Sequence, residues 1–232
     1  MPPSCSPPLN LSVNLRDSTS ELRFADLVTT VRSCRACPRM EGRRRVLGPK
    51  NGSLDARLMV VATAPGRRGA ERTGVPLCGD ASGRTFEQLL TRAGLRRQDV
   101  FITNAVLCNP QDRAGRNTEP STDELRNCRL HLARTLDLVH APLVIALGRT
   151  AFAALIATGD EHLRFEDCLG KRLPWRGRTL AAVYHPSPRV SNTPARYQSL
   201  ISQWDAAISA LTTLEAADHG GCYAVVKLQV RS

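Results

Sequence analysis

The sequence predicts an α/β chain folded as three layers, α/β/α, around a central, mostly parallel four-stranded sheet. Three observations predict it: four short apolar runs at wide intervals, helical periodicity between them, and a polar or Gly-rich segment directly behind each run. A run apolar throughout suits a strand buried on both faces. Such strands alternating with helices build a parallel sheet whose ligands lie at the carboxyl ends of the strands.

In chain order, the first 20 residues are rich in Pro and Ser and lack periodicity, which reads as a disordered tail. From Glu21, "ELRFADLVTTVRS" places Leu22, Ala25, Val28 and Val31 at helical spacing and ends at Cys34. The four strands are expected in "RLMVVA" 57–62, "DVFITNAV" 99–106, "PLVIALG" 142–148 and "TLAAVYHP" 179–186. Between them, "SGRTFEQLLTRAG" carries Phe86, Leu89, Leu90 and Ala93. The next helix, "TDELRNCRLHLARTLDLV", opens on a Ser121–Glu124 capping box and carries Leu125, Cys128, Leu132, Leu136 and Val139. "RTAFAALIA" follows the third strand. A last helix with Tyr197, Leu200, Ile201, Trp204, Ile208 and Leu211 on one face covers the sheet. One domain is therefore expected over 21–214, with 215–232 as an extension, and no repeat is visible.

Composition narrows the class. Basic residues number 32 against 21 acidic, giving a formal net charge of +11, which points to a polyanionic partner. Arg supplies 29 of the basic positions, which suits bidentate phosphate contacts, although an Arg-rich proteome would give the same bias. No apolar run approaches the roughly 18 residues of a membrane span. The N-terminus lacks a signal-peptide pattern, so the eight cysteines are expected reduced, in a soluble cytoplasmic protein.

All four strands empty toward one rim, into "TAPGRRGAERTGVPLCGDASG", "NAVLCNPQDRAGRN", "GRTA" and "YHPSPR". Apart from these, "CRAC" at 34–37 presents two thiols that can grip one side of a metal, or act as a redox pair. Thiolates suit iron–sulfur and zinc alike, and Cys128 on its apolar helix face reads as a plain core thiol. Cys5, Cys78, Cys168 and Cys222 are expected to be ordinary thiols.

The "APG" loop with "RTG-P" behind it, the "TNAVLC" strand end, the "LG-TA" turn and the "YHPSP" loop together resemble the uracil-DNA glycosylase superfamily. The resemblance spans about residues 34 to 204 and is to the iron–sulfur branches, families four and five. "TNAVLC" looks like family four, whereas "GAERTG" and "GDASG" look closer to family five. It implies a repair enzyme that flips uracil, or a related deaminated base, out of DNA and hydrolyses its N-glycosidic bond. It further implies a 4Fe-4S cluster on Cys34, Cys37, Cys108 and Cys128, and base contacts from Ala64, Pro65, Gly66, position 77 and Asn104.

By the same resemblance, His185 stabilises the departing base and Ser187 holds phosphate beside Arg189. Glu71 aligns with an acidic family-five position proposed to place the attacking water; Asp80 is the other acidic option, or merely a helix cap. Asn104 alternatively caps its loop, and Arg43, Arg44, Arg45 and Arg189 form either a DNA rim or a solvated face. His131, His140, His162 and His219 are expected to be structural or surface residues. Leu77 departs from the family-four pattern, where an aromatic ring stacks on the base; losing it costs on the order of 1–3 kcal/mol. That departure admits a non-catalytic iron–sulfur DNA-binding protein of the same fold. A zinc-stabilised nucleotide hydrolase fits worse, because no P-loop motif is present. The chain is expected to act as a monomer on DNA of the nucleoid.

Overall fold

The computed structural model describes residues 11–218. Residues 1–10 of the expected tail and 219–232 of the expected extension lie outside them. The four expected strands form as β1 (Leu58–Ala62), β2 (Val100–Asn104), β3 (Leu143–Leu147) and β5 (Arg178–Val183), all mutually parallel. A fifth strand, β4 (Arg172–Trp175), adds to the edge antiparallel to β5, giving the order β2-β1-β3-β5-β4. The sheet thus has five strands rather than four.

β4 escapes a search for apolar runs because "RLPW" is an edge strand, largely open to solvent, with Pro174 in its middle. It is joined to β5 through Arg176 and Gly177, at φ 48° and 70°, the paired positive values of a tight hairpin turn. A non-glycine in that turn is held by its surroundings. Arg176 lies over the Trp175 ring, 5.7 Å from its centroid, and donates to Asp137 Oδ1 at 3.2 Å and Thr158 Oγ1 at 3.0 Å.

Strand residues alternate between two cores. Met59, Val61, Phe101, Val144, Ala146, Leu180 and Ala182 face one layer, made of α1 (Leu11–Ser33), α4 (Thr122–Leu138), α5 (Arg149–Ile156) and the short α6 (Phe165–Cys168). Leu58, Val60, Ile102, Ile145, Ala181 and Val183 face the other, made of α3 (Ala81–Arg92) and α8 (Pro194–Asp218). Here Phe86 meets Trp204 edge to face, with ring centroids 5.9 Å apart.

α1 differs from expectation in extent and phase. It begins at Leu11, so residues 11–20 are helical, consistent with a helix that propagates backward from a docked segment. Its buried stripe is Phe24, Leu27, Val28 and Val31; Leu22 is 69% exposed and Ala25 faces solvent. The i, i+3, i+4, i+7 set wins because Phe24 packs edge-on against Phe101, at 5.9 Å, which fixes the helix rotation.

The connections leave β1 in opposite directions. Through α3 the chain reaches β2 on one side; through α4, packed on the other face, it passes back across β1 to β3. That reversal opens a crevice at the carboxyl ends of β1 and β3, where doubly wound sheets bind ligands. Trp204, fully buried between α3 and the sheet, is expected to contribute most to this layer. Trp204→Ala should lower the unfolding free energy by about 3–5 kcal/mol, read as a reduced urea midpoint with an unchanged slope.

Candidate active site and thiol cluster

The crevice is a cleft of about 570 Å³ into which all four parallel strands deliver residues. Thr63, Ala64, Pro65 and Gly66 leave β1; Asn104 ends β2; Gly148, Arg149 and Thr150 follow β3; His185, Ser187 and Arg189 follow β5. Leu77 and Asp80 come from the loop before α3. Of the residues singled out in the sequence, Ala64, Pro65, Gly66, Leu77, Asn104, His185, Ser187 and Arg189 therefore share one surface.

Asn104 is 3% exposed, and its Nδ2 is buried with no hydrogen-bond partner in the protein. An unsatisfied buried amide is costly, on the order of 1–3 kcal/mol, and an acceptor brought within its reach would relieve that cost. His185 lies in a loop threaded past Gly148, where φ is +89° and a Cβ would come within 3.2 Å of the histidine Cβ. Glycine is needed there on both counts. The loop is tied to α8 by Tyr184 N–H, which donates to Gln203 Oε1 at 2.9 Å. Burial pushes the His185 imidazole down to about 4, against a smaller opposing pull from the Asp80 carboxylate. At neutral pH the ring is uncharged and has one N–H to donate.

Buried amides brace the β1 exit against the loop after β2. Asn109 Nδ2 donates to Pro65 O and to Asn117 Oδ1 at 3.1 Å, Gln111 Nε2 donates to Asn109 Oδ1, and Arg67 N–H donates to Asn117 Oδ1 at 3.0 Å. Asn117, Thr118 and Glu119 also line the cleft, and Thr150 Oγ1 donates to Glu119 Oε2 at 3.2 Å. Sequence reading missed these residues. Their only advance signal was a polar segment behind β2, since the partner that ties Asn109 to the β1 exit, Pro65, is remote in the chain.

The loop before α3 is held in an unusual conformation. Leu77 has φ 46°, a left-handed value uncommon for a branched side chain. Arg97 Nη2 donates to Pro76 O and Nη1 pairs with Glu87 on α3 at 2.5 Å. Asp80 caps α3, its Oδ1 accepting from Gly83 N–H at 2.9 Å. Its Oδ2 lies so close to Gly66 and Gly69 that a Cβ at either would fall within 2.6 and 2.3 Å of it.

Glu71 occupies a different place. It sits on a four-residue helix, α2 (Ala70–Thr73), and does not line the cleft. Its Oε1 accepts from Arg44 N–H at 3.1 Å, and Arg44 Nε donates to the Glu71 carbonyl at 2.8 Å. The carboxylate faces the loop behind the thiols, where its charge acts on Cys108.

Cys34, Cys37, Cys108 and Cys128 are gathered near one another from the end of α1, the loop behind it, the exit of β2 and α4, with no disulfide formed. Burial pushes the Cys108 thiol up to about 11 and the Cys128 thiol up to about 12, with neighbouring cysteines adding to both. Arg39 ties the "CRAC" loop to α4 through a two-pronged pair with Glu124, its Nε to Oε1 at 2.8 Å. Asn127 Nδ2 donates to Ala36 O at 3.0 Å and Cys37 Sγ at 3.4 Å. Arg45 donates to Cys34 O at 2.8 Å. Among the described residues, no three His, Cys, Asp or Glu side chains are placed to hold a metal ion. Ala64 packs against a small buried cluster of Met40, Val106 and Cys128, which Cys37 and Cys108 also border, and it lines the cleft as well, so this cluster backs the cleft wall.

Comparison with known proteins agrees with this arrangement. Residues 49–207 match the family model described as the uracil DNA glycosylase superfamily. The chain is 33% identical over 197 residues to the type-5 uracil-DNA glycosylase of Thermus thermophilus, covering 72% of this chain and 88% of that protein. It is 31% identical over 199 residues to the type-5 enzyme of Pyrobaculum aerophilum, covering 73% and 85%. It is 30% identical over 163 residues to the type-4 enzyme of Thermotoga maritima, covering 70% and 80%. With its switch-point cleft, its strand-end motifs and these matches taken together, the chain belongs to the uracil DNA glycosylase superfamily.

Proposed function

We propose that this chain is a monofunctional uracil-DNA glycosylase. It takes uracil, or a related deaminated base, from DNA and hydrolyses the N-glycosidic bond to leave an abasic site. The single observation that carries the reading is the unpartnered amide of Asn104 in a cleft shared with an uncharged His185. A flipped uracil offers O4 to the Asn104 N–H group and N3–H to its carbonyl oxygen, whereas cytosine presents the reverse pattern. Bond cleavage leaves negative charge on the base, and a neutral imidazole N–H aimed at O2 stabilises that charge without first binding a cation-sized charge itself. Ser187 and Arg189 at the mouth suit phosphate.

Of the two acidic candidates for placing the attacking water, Asp80 lines the cleft and Glu71 is engaged by Arg44. We therefore assign the water to Asp80 rather than to Glu71. The donor chemistry of the four thiols fits a 4Fe-4S cluster. They are soft ligands, brought together from the "CRAC" segment, the exit of β2 and α4, with Cys128 buried and the other three partly covered. Bound there, the cluster would cross-link the "CRAC" loop to β2 and α4. The base-excision chemistry rests on the cleft residues. The cleft is complete within one chain, which suits a monomer, and a net charge of +11 suits work on the nucleoid in the cytoplasm.

Incubation with labelled uracil-containing DNA, followed by alkali, should reveal strand breaks at uracil. Intact strands would favour a DNA-binding protein without excision, the outcome that Leu77 at the stacking position permits. His185→Ala and Asn104→Ala should each slow single-turnover excision by about 10²–10³, with a much smaller change in DNA affinity. Undiminished excision would remove the assigned roles.

His185 also makes stability depend on pH. Unfolded, its pKa is near 6.5; folded, burial holds it at about 4. The stability it confers is present above pH 6.5 and is lost progressively as pH falls through about 4, because the unfolded state then binds the extra proton. Melting temperatures of wild type and His185→Gln should converge or cross as pH falls over that window.

Asp80→Asn keeps a helix-capping side chain and removes the charge, and should lower the single-turnover rate by about 10²–10⁴. Glu71→Gln should stay within about threefold of wild type. The reverse ranking would return the water to Glu71. Purified protein should be brown, and Cys108→Ser should lose the visible absorbance and iron together. Stoichiometric zinc in colourless protein would overturn the cluster assignment.

A further inference from the structure

A second groove of about 420 Å³ opens beside the cleft, sharing Asp80, Ser82, Asn117 and Pro188 with it. Its remaining charged wall is formed by Arg67 and Arg68 from the β1 exit, Arg84 from the first turn of α3, and Arg116 from the loop after β2. The four guanidiniums do not count equally. Arg116 is neutralised by Asp112, Nε to Oδ2 at 2.8 Å, whereas Arg67, Arg68 and Arg84 are exposed and have no acidic partner among the described residues. The one acid on the groove, Asp80, is turned inward, onto the Gly83 N–H and the backbone of Gly66 and Gly69. Three like charges at one surface repel each other and favour an anionic ligand.

The position of the groove says which anion. A base seated in the cleft remains attached to a sugar–phosphate chain, and that chain must leave through an open edge of the cleft. The groove is such an edge, and guanidiniums bind phosphate through two parallel N–H donors. The backbone that carries Arg67 and Arg68 is already ordered, because Arg67 N–H is fixed on Asn117, itself held by the buried Asn109. Less conformational freedom is then lost when DNA binds.

We propose that this groove seats the phosphodiester backbone of the damaged strand on one side of the extruded nucleotide. Arg67, Arg68 and Arg84 contact about three consecutive phosphates, one per guanidinium. The proposal rests on the glycosylase reading and extends it to the path of the strand.

The test compares full-length wild type with a triple variant, Arg67→Gln, Arg68→Gln and Arg84→Gln, on a single-stranded oligonucleotide containing one uracil. Binding by gel shift and single-turnover excision are measured over a range of KCl. Each lost phosphate contact should lower the slope of log affinity against log salt by about 0.7, so the triple variant should lose about 2 from its slope. The half-saturating DNA concentration should rise tenfold or more at physiological salt, and the loss should fall there rather than on the plateau rate.

Neutral methylphosphonates placed singly on either side of the uracil should weaken wild type on one side only, and should weaken the variant much less. A variant that keeps the wild-type salt slope, or methylphosphonates that weaken both proteins equally, would overturn the groove. If the glutamine variant melts early, the corresponding triple lysine variant should retain the slope; its loss in a folded lysine variant would also overturn it. Wild type that binds but leaves uracil in place would fail the glycosylase reading alone, since the gel-shift slopes still report on the groove.

Discussion

Parallel pairing of β1 with both of its neighbours is the constraint on which the rest of the molecule depends. Leu58–Val61 are matched on one side to Val100–Thr103 and on the other to Leu143–Ala146, and every residue of these strands is buried. In this register the strands end on the same rim, so the loops behind them have no choice but to meet. A one-residue slip would exchange the two faces, placing Met59 and Val61 toward α3 and α8 and breaking both cores at once. The catalytic geometry is therefore insured by the packing of the whole sheet.

On that rim, the polar groups that face the ligand are held by groups that do not. The Asn109–Asn117 amides fix the β1 exit, Gly148 lets the His185 loop pass, and Arg97 together with Gly83 holds the left-handed turn at Leu77. Each is a close backbone approach or a partly buried hydrogen bond, worth little alone in the presence of water and more where water is excluded. The same exclusion keeps His185 uncharged. Of the guanidiniums near the cleft, Arg149 and Arg189 line the cleft itself, whereas Arg67, Arg68 and Arg84 stand in the neighbouring groove.

The thiol cluster and the cleft meet at Ala64. A larger side chain there would press on the Met40, Val106 and Cys128 cluster behind it or fill the cleft in front. The Arg39–Glu124 pair and Asn127 fasten the cysteine loop to α4 independently of any bound group, so the wall has both a polar and a thiol attachment. Glu71 belongs to this supporting side, where with Arg44 it joins α2 to the loop behind the thiols.

The sequence by itself determined the layers, the four parallel strands, the rim at which they end and most of the residues on it. Burial on both faces leaves a continuous apolar run, and short motifs at strand ends keep their order along the chain. The resemblance of its motifs to the iron–sulfur branches also brought forward the four cysteines, which "CRAC" alone could not name. Only the tertiary structure decided the rest, because each case turns on contacts between remote segments. Edge strand β4 has no apolar run and exists through pairing with β5. The rotation of α1 is set by Phe24 against Phe101, which periodicity counted from Leu22 misplaced. Glu71 and Asp80 lie in one segment between β1 and α3 and look interchangeable in sequence, yet Asp80, capping α3, is among the residues lining the cleft, and Glu71, held by Arg44, is not.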